Sequence, residues 1–321
     1  MTDRVLVCGS IAIDFLGSYP GSFADYQERY PIKALNFSLQ LGDLRMSFGG
    51  CGMNIAYGLK KLGVDCTPLT SAGANFEDHY RAHLEALDIC IEYIAVDPAY
   101  LQCATAIVVS DTEGNQITAF HAGASRSTLR KLPSEIPDIE HYCLAVLAPE
   151  EAPIMLRQAR DLKRIGVPVL FDPGQGISEF SREEVRELLD ISDYVIANAH
   201  EWEILQLNGH LTEAEVMATQ RQTIVTHSAG GVDIFERDTA PVHVPAIAPR
   251  RLVDATGCGD AFRAGYVFGL INRLPSQACA RLGCLTATYN LENPETQRYS
   301  FSPEEFSARY REVWGEAIPL G

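Results

Sequence analysis

The sequence predicts an α/β protein: a doubly wound, mostly parallel sheet with helices on both faces and a smaller β-sheet set apart from it. Three observations carry this expectation. Short β-rich runs alternate with helical patterns along most of the 321 residues, and that alternation implies crossover helices. Several helical patterns carry their own start and stop residues. Two segments switch to a period of two, which belongs to strands with one wet face.

Val5–Cys8 is a compact apolar run ending at Gly9. Asn54–Leu62 places Ile55, Leu59 and Leu62 on one helical face, with Gly63 as its stop. Cys143–Leu147 is a second apolar strand. From about Ala152, Met155, Ala159, Leu162 and Ile165 recur near helical spacing, and Gly166 ends the helix before a strand at Val167–Phe171. Ser181 and Glu184 form a capping-box pattern. Asp193–Ala197 and Gln222–Thr226 continue the strands, residues 259–272 and 276–291 read as long helices, and Ser302-Pro303-Glu304-Glu305 starts the last.

Within 34–40, Leu35, Phe37 and Leu39 alternate with polar residues. Ala104–Val109 and Gln116–Phe120 flank Asp111-Thr112-Glu113-Gly114-Asn115, a hairpin turn. Both segments leave the core near its strand ends. They are expected to form a β lid of residues 15–43 and 101–121 over a core of 1–14, 44–100 and 122–321, although a surface hairpin has the same pattern.

The composition is 46% hydrophobic and 21% charged, as in folded globular domains rather than disordered chains. The net charge of −16 argues against nucleic acid as a partner, because a phosphate backbone would be repelled. A phosphorylated ligand then needs a local positive site made of backbone dipoles and a metal. Nine cysteines without Cys-x-x-Cys spacing read as small apolar residues in a reducing compartment rather than a zinc site. No apolar run reaches membrane-spanning length, and the N-terminus lacks the pattern of a signal peptide. A cytoplasmic location without a membrane partner is expected; the oligomeric state stays open.

The richest chemical segment is Asp254-Ala255-Thr256-Gly257-Cys258-Gly259-Asp260 ahead of an apolar helix. Glycines allow close backbone approach, and a helix N-terminus aims free amides at an anion. Asp260 could accept a proton from a hydroxyl attacking a phosphoryl group; it could also be a plain helix cap. No lysine precedes Ser or Thr, which excludes a P-loop. Gly257-x-Gly259-x-x-Phe262 lacks the third glycine of a dinucleotide fingerprint.

These motifs resemble the ribokinase-like (PfkB) carbohydrate kinases. The C-terminal signature is Asp254-x-Thr256-Gly257-Cys258-Gly259-Asp260, with Cys258 in place of alanine. The N-terminal signature is Phe48-Gly49-Gly50-Cys51-Gly52-Met53-Asn54-Ile55-Ala56, and Asn198-Ala199-His200-Glu201 matches Asn-x-x-Glu. Segments 48–57, Gly9–Asp14, Asn115–His121 and Phe171–Gly176 are similar to those of bacterial adenosine kinases within the family. Met53 stands where a small residue is usual, which implies a changed sugar or base pocket.

The resemblance implies a ribokinase-like fold with its β lid, and transfer of the ATP γ-phosphate to the 5′-hydroxyl of adenosine in purine salvage, giving AMP and ADP. Asp260 would be the catalytic base, beside an anion hole of the Gly257, Cys258 and Gly259 amides. Asp14, Gly49, Gly50 and Asn54 would hold the ribose, with Phe120 or Phe37 stacking on the base. Asn198, Glu201, Thr226, Gly231 and Thr256 would serve ATP, and Glu201 would hold Mg2+ through water. For Asn198 and Glu201 a capped helix start is the plainer reading. Ser228 replaces a family glycine in Thr226–Gly231, and Arg263 is either a phosphate contact or a surface arginine. A kinase for another nucleoside or a free sugar fits the same residues, as does a non-catalytic nucleotide sensor. Dependence on a monovalent cation is left open.

Overall fold

The computed structural model describes residues 4–29, 38–113, 115–237 and 239–320. Its elements begin with β1 (Val5–Cys8), β2 (Ala12–Ser18), α1 (Phe23–Arg29), β3 (Asp43–Gly49), α2 (Cys51–Lys61), β4 (Cys66–Ala72), α3 (Tyr80–Ala86) and β5 (Ile94–Val96). They continue with β6 (Thr105–Ser110), β7 (Gln116–His121), β8 (Leu144–Leu147), α4 (Ala152–Ile165), β9 (Val169–Phe171), α5 (Arg182–Ile191), β10 (Tyr194–Asn198), α6 (Ala199–Gly209) and α7 (Glu213–Thr219). The last are β11 (Gln222–Thr226), β12 (Val232–Glu236), β13 (Val242–Val244), α8 (Cys258–Ile271), α9 (Ser276–Leu291) and α10 (Pro303–Trp314).

Among the described residues, nine strands make the main sheet in the order β13-β12-β11-β10-β9-β8-β1-β4-β5. All pairs are parallel except those that join β12 and β13 at one edge. Strand β1 shows why its residues are apolar throughout. Val5 and Val7 enter one core cluster, with residues of α2, α8 and α9. Leu6 and Cys8 enter the other, with residues of α4, α5 and α6. A strand buried on both faces has no use for polar side chains.

Local signals placed the helix ends. Ser181 and Glu184 form the reciprocal capping box of α5, and Ser302 and Glu305 do the same for α10. Gly166 closes α4 in the left-handed conformation at φ 88°, its amide reaching the Leu162 carbonyl at 2.8 Å.

A second sheet has the order β3-β2-β6-β7. The hairpin expected around residues 104–120 is β6 and β7, and the parallel pairing of β2 with β6 joins it to the N-terminal segment. This sheet reaches to residue 12 and to residue 49, past the 15–43 segment expected from the pattern. The strand expected at 34–40 falls mostly outside the described residues, Phe37 included, and residues 38–40 have no regular structure. Strand β3 was not expected, because it carries Asp43 and Arg45 and its first four residues are exposed. Helix α1 buries no residue, so it has no apolar stripe to betray it.

Helices α2 and α8 pack closely. A Cβ on Gly58 would lie 2.5 Å from Ala264 Cβ and 2.6 Å from Tyr299 Oη. Gly58→Ala should therefore destabilise the fold. Helix propensity gains at most about 1 kcal/mol, against overpacking of roughly 1–3 kcal/mol or more. A net loss of about 1–2 kcal/mol should appear in urea unfolding; an unchanged or raised midpoint would show that the helices part at no cost.

Candidate active site

The expected residues converge on the C-terminal ends of the parallel strands, where open α/β sheets place their ligands. The chain leaves β1 through Gly9 and Ser10, Asp172 follows β9, and Asn198 and Thr226 end β10 and β11 as paired neighbours. The N-termini of α2 and α8 face this edge: Asn54 Nδ2 of α2 donates to Asp260 Oδ2 of α8 at 2.8 Å. Two hundred residues of chain separate the pair, and both side chains are buried.

Asp260 is not the cap of its helix. The N-cap position is Gly257 at φ 73°, and no side chain caps the first turn. The Cys258 amide donates to the Ala255 carbonyl at 3.2 Å, and the Gly259 amide beside it has no preceding helical turn to accept it. A Cβ on Gly257 would lie 2.7 Å from Thr296 Cγ2, so the left-handed turn and its close packing both call for glycine. Thr256 shapes the same turn: its amide donates to Asp254 Oδ1 at 2.9 Å and its carbonyl accepts from Asn290 Nδ2 at 2.8 Å. Cys258 lies in the first turn, and burial pushes its thiol up to about 11, so it stays neutral. Burial also raises the Asp260 carboxyl above the usual carboxylate range, against the pull of Arg263 and the Asn54 hydrogen bond. A raised pKa makes a stronger base.

Strands β2 and β3 bring Asp14 to the same place. Its Oδ1 accepts from the Ala106 amide of β6 at 3.1 Å, and desolvation pushes its pKa up to about 6, with Asp260 adding like-charge repulsion. Gly49 is needed for room, since a Cβ there would collide with the Asp14 carboxylate. Gly50 sits at φ 92°, where a Cβ would meet the Ser10 carbonyl at 2.5 Å.

Several members of this cluster had no sequence signal. Gln297 Nε2 donates to Asn54 Oδ1 at 2.9 Å and to Tyr80 Oη at 2.8 Å, and Tyr80 donates to the Gly49 carbonyl. Gln297 follows α9 in irregular chain, with no motif around it. Arg263 is no surface arginine. It is buried: its Nη2 donates to Asp172 Oδ1 at 2.7 Å, its Nε faces Asp172 Oδ2 as an ion pair, and its Nη2 lies 3.8 Å from Glu201. Burial works against that cation, but the neighbouring carboxylates prevail and hold it above the ordinary arginine range.

Asn198 and Glu201 form the capping box of α6, each side chain bonded to the other's backbone amide at 2.9 Å. The plainer reading of this pair is therefore realised. It does not exhaust Glu201, whose Oε1 has no hydrogen bond to protein among the described residues. A single carboxylate oxygen fits a metal held mainly by nucleotide phosphates and water. Among the described residues, the group of three side chains able to grip an ion directly is Asp138, Glu140 and His141, all exposed on a loop between β7 and β8.

Thr226 begins a turn in which Ser228, the substitute for glycine, adopts a positive φ of 50°. Gly231 closes it, buried, at φ 97°. Phe120 projects from β7, 66% exposed and unpacked. Met53 does not line the site; it is buried in the core with Val5 and Ile13.

The electrostatics of Asp14 give a stability test. Its folded pKa lies above the ordinary 3.8, so the folded state binds the extra proton. The burial penalty is absent well below pH 4, grows as pH rises towards 6 and is complete above it. Asp14→Asn removes that penalty, so it should stabilise the protein at pH 8, by on the order of 2–3 kcal/mol more than at low pH. Urea unfolding at pH 4.5 and pH 8 measures this, and a pH-independent effect would contradict the assignment.

Known proteins share this architecture. The structure of Burkholderia thailandensis nucleoside kinase in complex with inosine superposes with a TM-score of 0.88 at 31% identity, covering 98% of this chain and 99% of that one. A nucleoside kinase of Methanocaldococcus jannaschii is 27% identical over 297 residues, 90% of this chain and 91% of that protein. A ribokinase of Arabidopsis thaliana is 25% identical over 283 residues, 81% and 71% of the two chains. The family model described as pfkB family carbohydrate kinase matches residues 3–303. Kinases of this family use ATP with a divalent metal, generally magnesium. Those 301 residues hold both helix N-termini, the Asn54–Asp260 bond between them and the strand ends beside it, and on that match this chain belongs to the pfkB family of carbohydrate kinases.

Proposed function

We propose that this protein phosphorylates the 5′-hydroxyl of a nucleoside at the expense of ATP, with adenosine as the first candidate and AMP and ADP as products. The observation that carries the reading is the buried Asn54–Asp260 hydrogen bond beside the uncapped N-terminus of α8. It sets a carboxylate against a hole for negative charge, the two parts that transfer to a hydroxyl requires.

In this reading Asp260 takes the proton of the 5′-hydroxyl, and burial keeps it basic enough to do so. The amides of Gly257, Cys258 and Gly259 receive the charge that develops on the phosphoryl oxygens, Cys258 sharing its amide with the Ala255 carbonyl. Asp14 accepts hydrogen bonds from two ribose hydroxyls, Asn54 offers the complementary amide, and Gly49 and Gly50 let the sugar approach the backbone. Thr226, Gly231, Thr256 and Asn198 flank the nucleotide, and Glu201 would hold a magnesium ion through water. Magnesium, when bound, would neutralise phosphate charge. The small sheet acts as a lid that excludes water, the competing acceptor, and Phe120, exposed without a nucleoside, stacks on the base when the lid closes.

Inosine is a specific second candidate, because the Burkholderia thailandensis enzyme is described in complexes with inosine and with ADP-inosine. A coupled ADP-release assay over adenosine, inosine, guanosine, cytidine and free ribose decides among them. Adenosine should have the highest kcat/KM; preference for inosine would move the assignment to another purine nucleoside, and preference for ribose would overturn it.

Asp260→Asn keeps the size of the side chain and can still meet Asn54 but cannot accept the proton. It should lower kcat about 100- to 10,000-fold, roughly 3–5 kcal/mol in the barrier, with little change in nucleoside affinity. A folded variant with near-normal turnover would remove Asp260 from the chemistry.

A further inference from the structure

Away from these residues, a cavity of about 140 Å³ lies between the segment after β7 and the first half of α4. It shares no lining residue with the catalytic cluster and is well below the roughly 300 Å³ at which sites for nucleoside-sized ligands begin. Its lining is basic in a chain of net charge −16: Arg126, Arg130, Lys131 and Arg157 all contribute.

The charges at this cavity do not cancel. Arg130 is buried and bonded in two places to Glu150, with one arm at 2.7 Å, and Arg126 is paired with Glu151. Ser127, also in the lining, donates its hydroxyl to Asp97. Lys131 and Arg157 have no carboxylate partner among the described residues: the Lys131 ammonium lies over the Tyr93 ring, and Arg157 reaches the Arg130 carbonyl only at 3.4 Å. Counted against Glu150, Glu151 and the buried Asp97, the four cations leave one net positive charge.

The second observation is independent of charge. Gln158 lines the same cavity and is 2% exposed, yet neither its amide oxygen nor its amide nitrogen has a hydrogen-bond partner. The Ser125 hydroxyl, also buried in the lining, has none either. Burying such groups unpaired costs about 1–3 kcal/mol each, so folded proteins rarely leave them so unless something else supplies the bonds. An amide N–H, a hydroxyl, an ammonium and a guanidinium are together a donor set for a small oxyanion.

We propose that this cavity is a second anion site, built for a small tetrahedral oxyanion: phosphate, free or as the end of a small phosphorylated metabolite. Binding there ties the segment after β7, the last strand of the small sheet, to α4 of the core.

The test is calorimetric titration of the full chain with inorganic phosphate, with a non-hydrolysable ATP analogue at saturation to occupy the catalytic anion hole. One phosphate site should persist. Lys131→Gln with Arg157→Gln should weaken it at least tenfold without changing nucleoside phosphorylation measured without added phosphate, since both side chains are exposed and lie outside the catalytic set. Arg157→Lys keeps the charge and should retain binding within a few-fold. Glycerol 3-phosphate, titrated in parallel, separates the sources: tighter binding than phosphate identifies a metabolite, weaker binding the free ion. Loss of all phosphate binding under the ATP analogue, or equal affinity in the double variant, would overturn the proposal. Because the readout is binding, it stands or falls apart from the kinase assignment.

Discussion

The buried hydrogen bond from Asn54 to Asp260 is the constraint around which this molecule is organised. It joins the N-termini of two helices that come from opposite ends of the chain, and it forms only because α2 and α8 approach as closely as Gly58 allows. Gln297 and Tyr80 extend the bond into a chain of donors and acceptors that ends on the Gly49 carbonyl. Inside a protein such a network is stiffer than in water, since breaking any one link leaves a buried group unpaired. Asn54 is thereby held in one orientation: Gln297 engages its oxygen, so its nitrogen faces Asp260.

Charge is arranged with the same economy. Four acids, Asp14, Asp172, Glu201 and Asp260, stand near one another at the strand ends, and Arg263 is the buried cation among them. Arg263 binds Asp172 and leans towards Glu201; it also attracts Asp260, whose hydrogen bond comes from Asn54. An arginine suits this place because its planar fork can set two nitrogens against one carboxylate and still lean towards a second. The Asp260 carboxyl thus stays above the usual carboxylate range while the neighbouring acids are offset. The arrangement is costly to folding, because each buried carboxylate gives up hydration, and such cost is common where chemistry is done.

The small sheet meets the core through the strand that carries Asp14. Strand β2 pairs with β3 on one side and β6 on the other, and the β6 amide of Ala106 holds the Asp14 carboxylate. Any shift of that sheet would therefore carry the Asp14 carboxylate with it. The basic cavity between α4 and the segment after β7 lies on the core side, its lining beginning at Ser125, beyond the His121 end of β7.

Sequence by itself determined the elements that local chemistry specifies. Alternating apolar runs, capping boxes at Ser181 and Ser302 and the stop at Gly166 need no tertiary partner, because a strand buried on both faces and a capped helix end are written within a few neighbouring residues. The glycine-rich signatures around Gly50 and Gly257 were legible for the same reason, and with them the family. Strand β3 and helix α1 were not, since neither has a buried stripe to set a period. Only the tertiary structure decided the rest. The cap reading of Asp260 ended with the helix starting at Gly257, and the partner of its carboxylate, Asn54, comes from 206 residues away. Arg263 could be a surface residue or a phosphate contact until the end of β9 presented Asp172 to it. Gln297 gave no sign, because its role lies wholly in what it bridges. Contacts across so much chain leave no period, motif or cap, for they depend on where the sheet's crossovers bring the strand ends together.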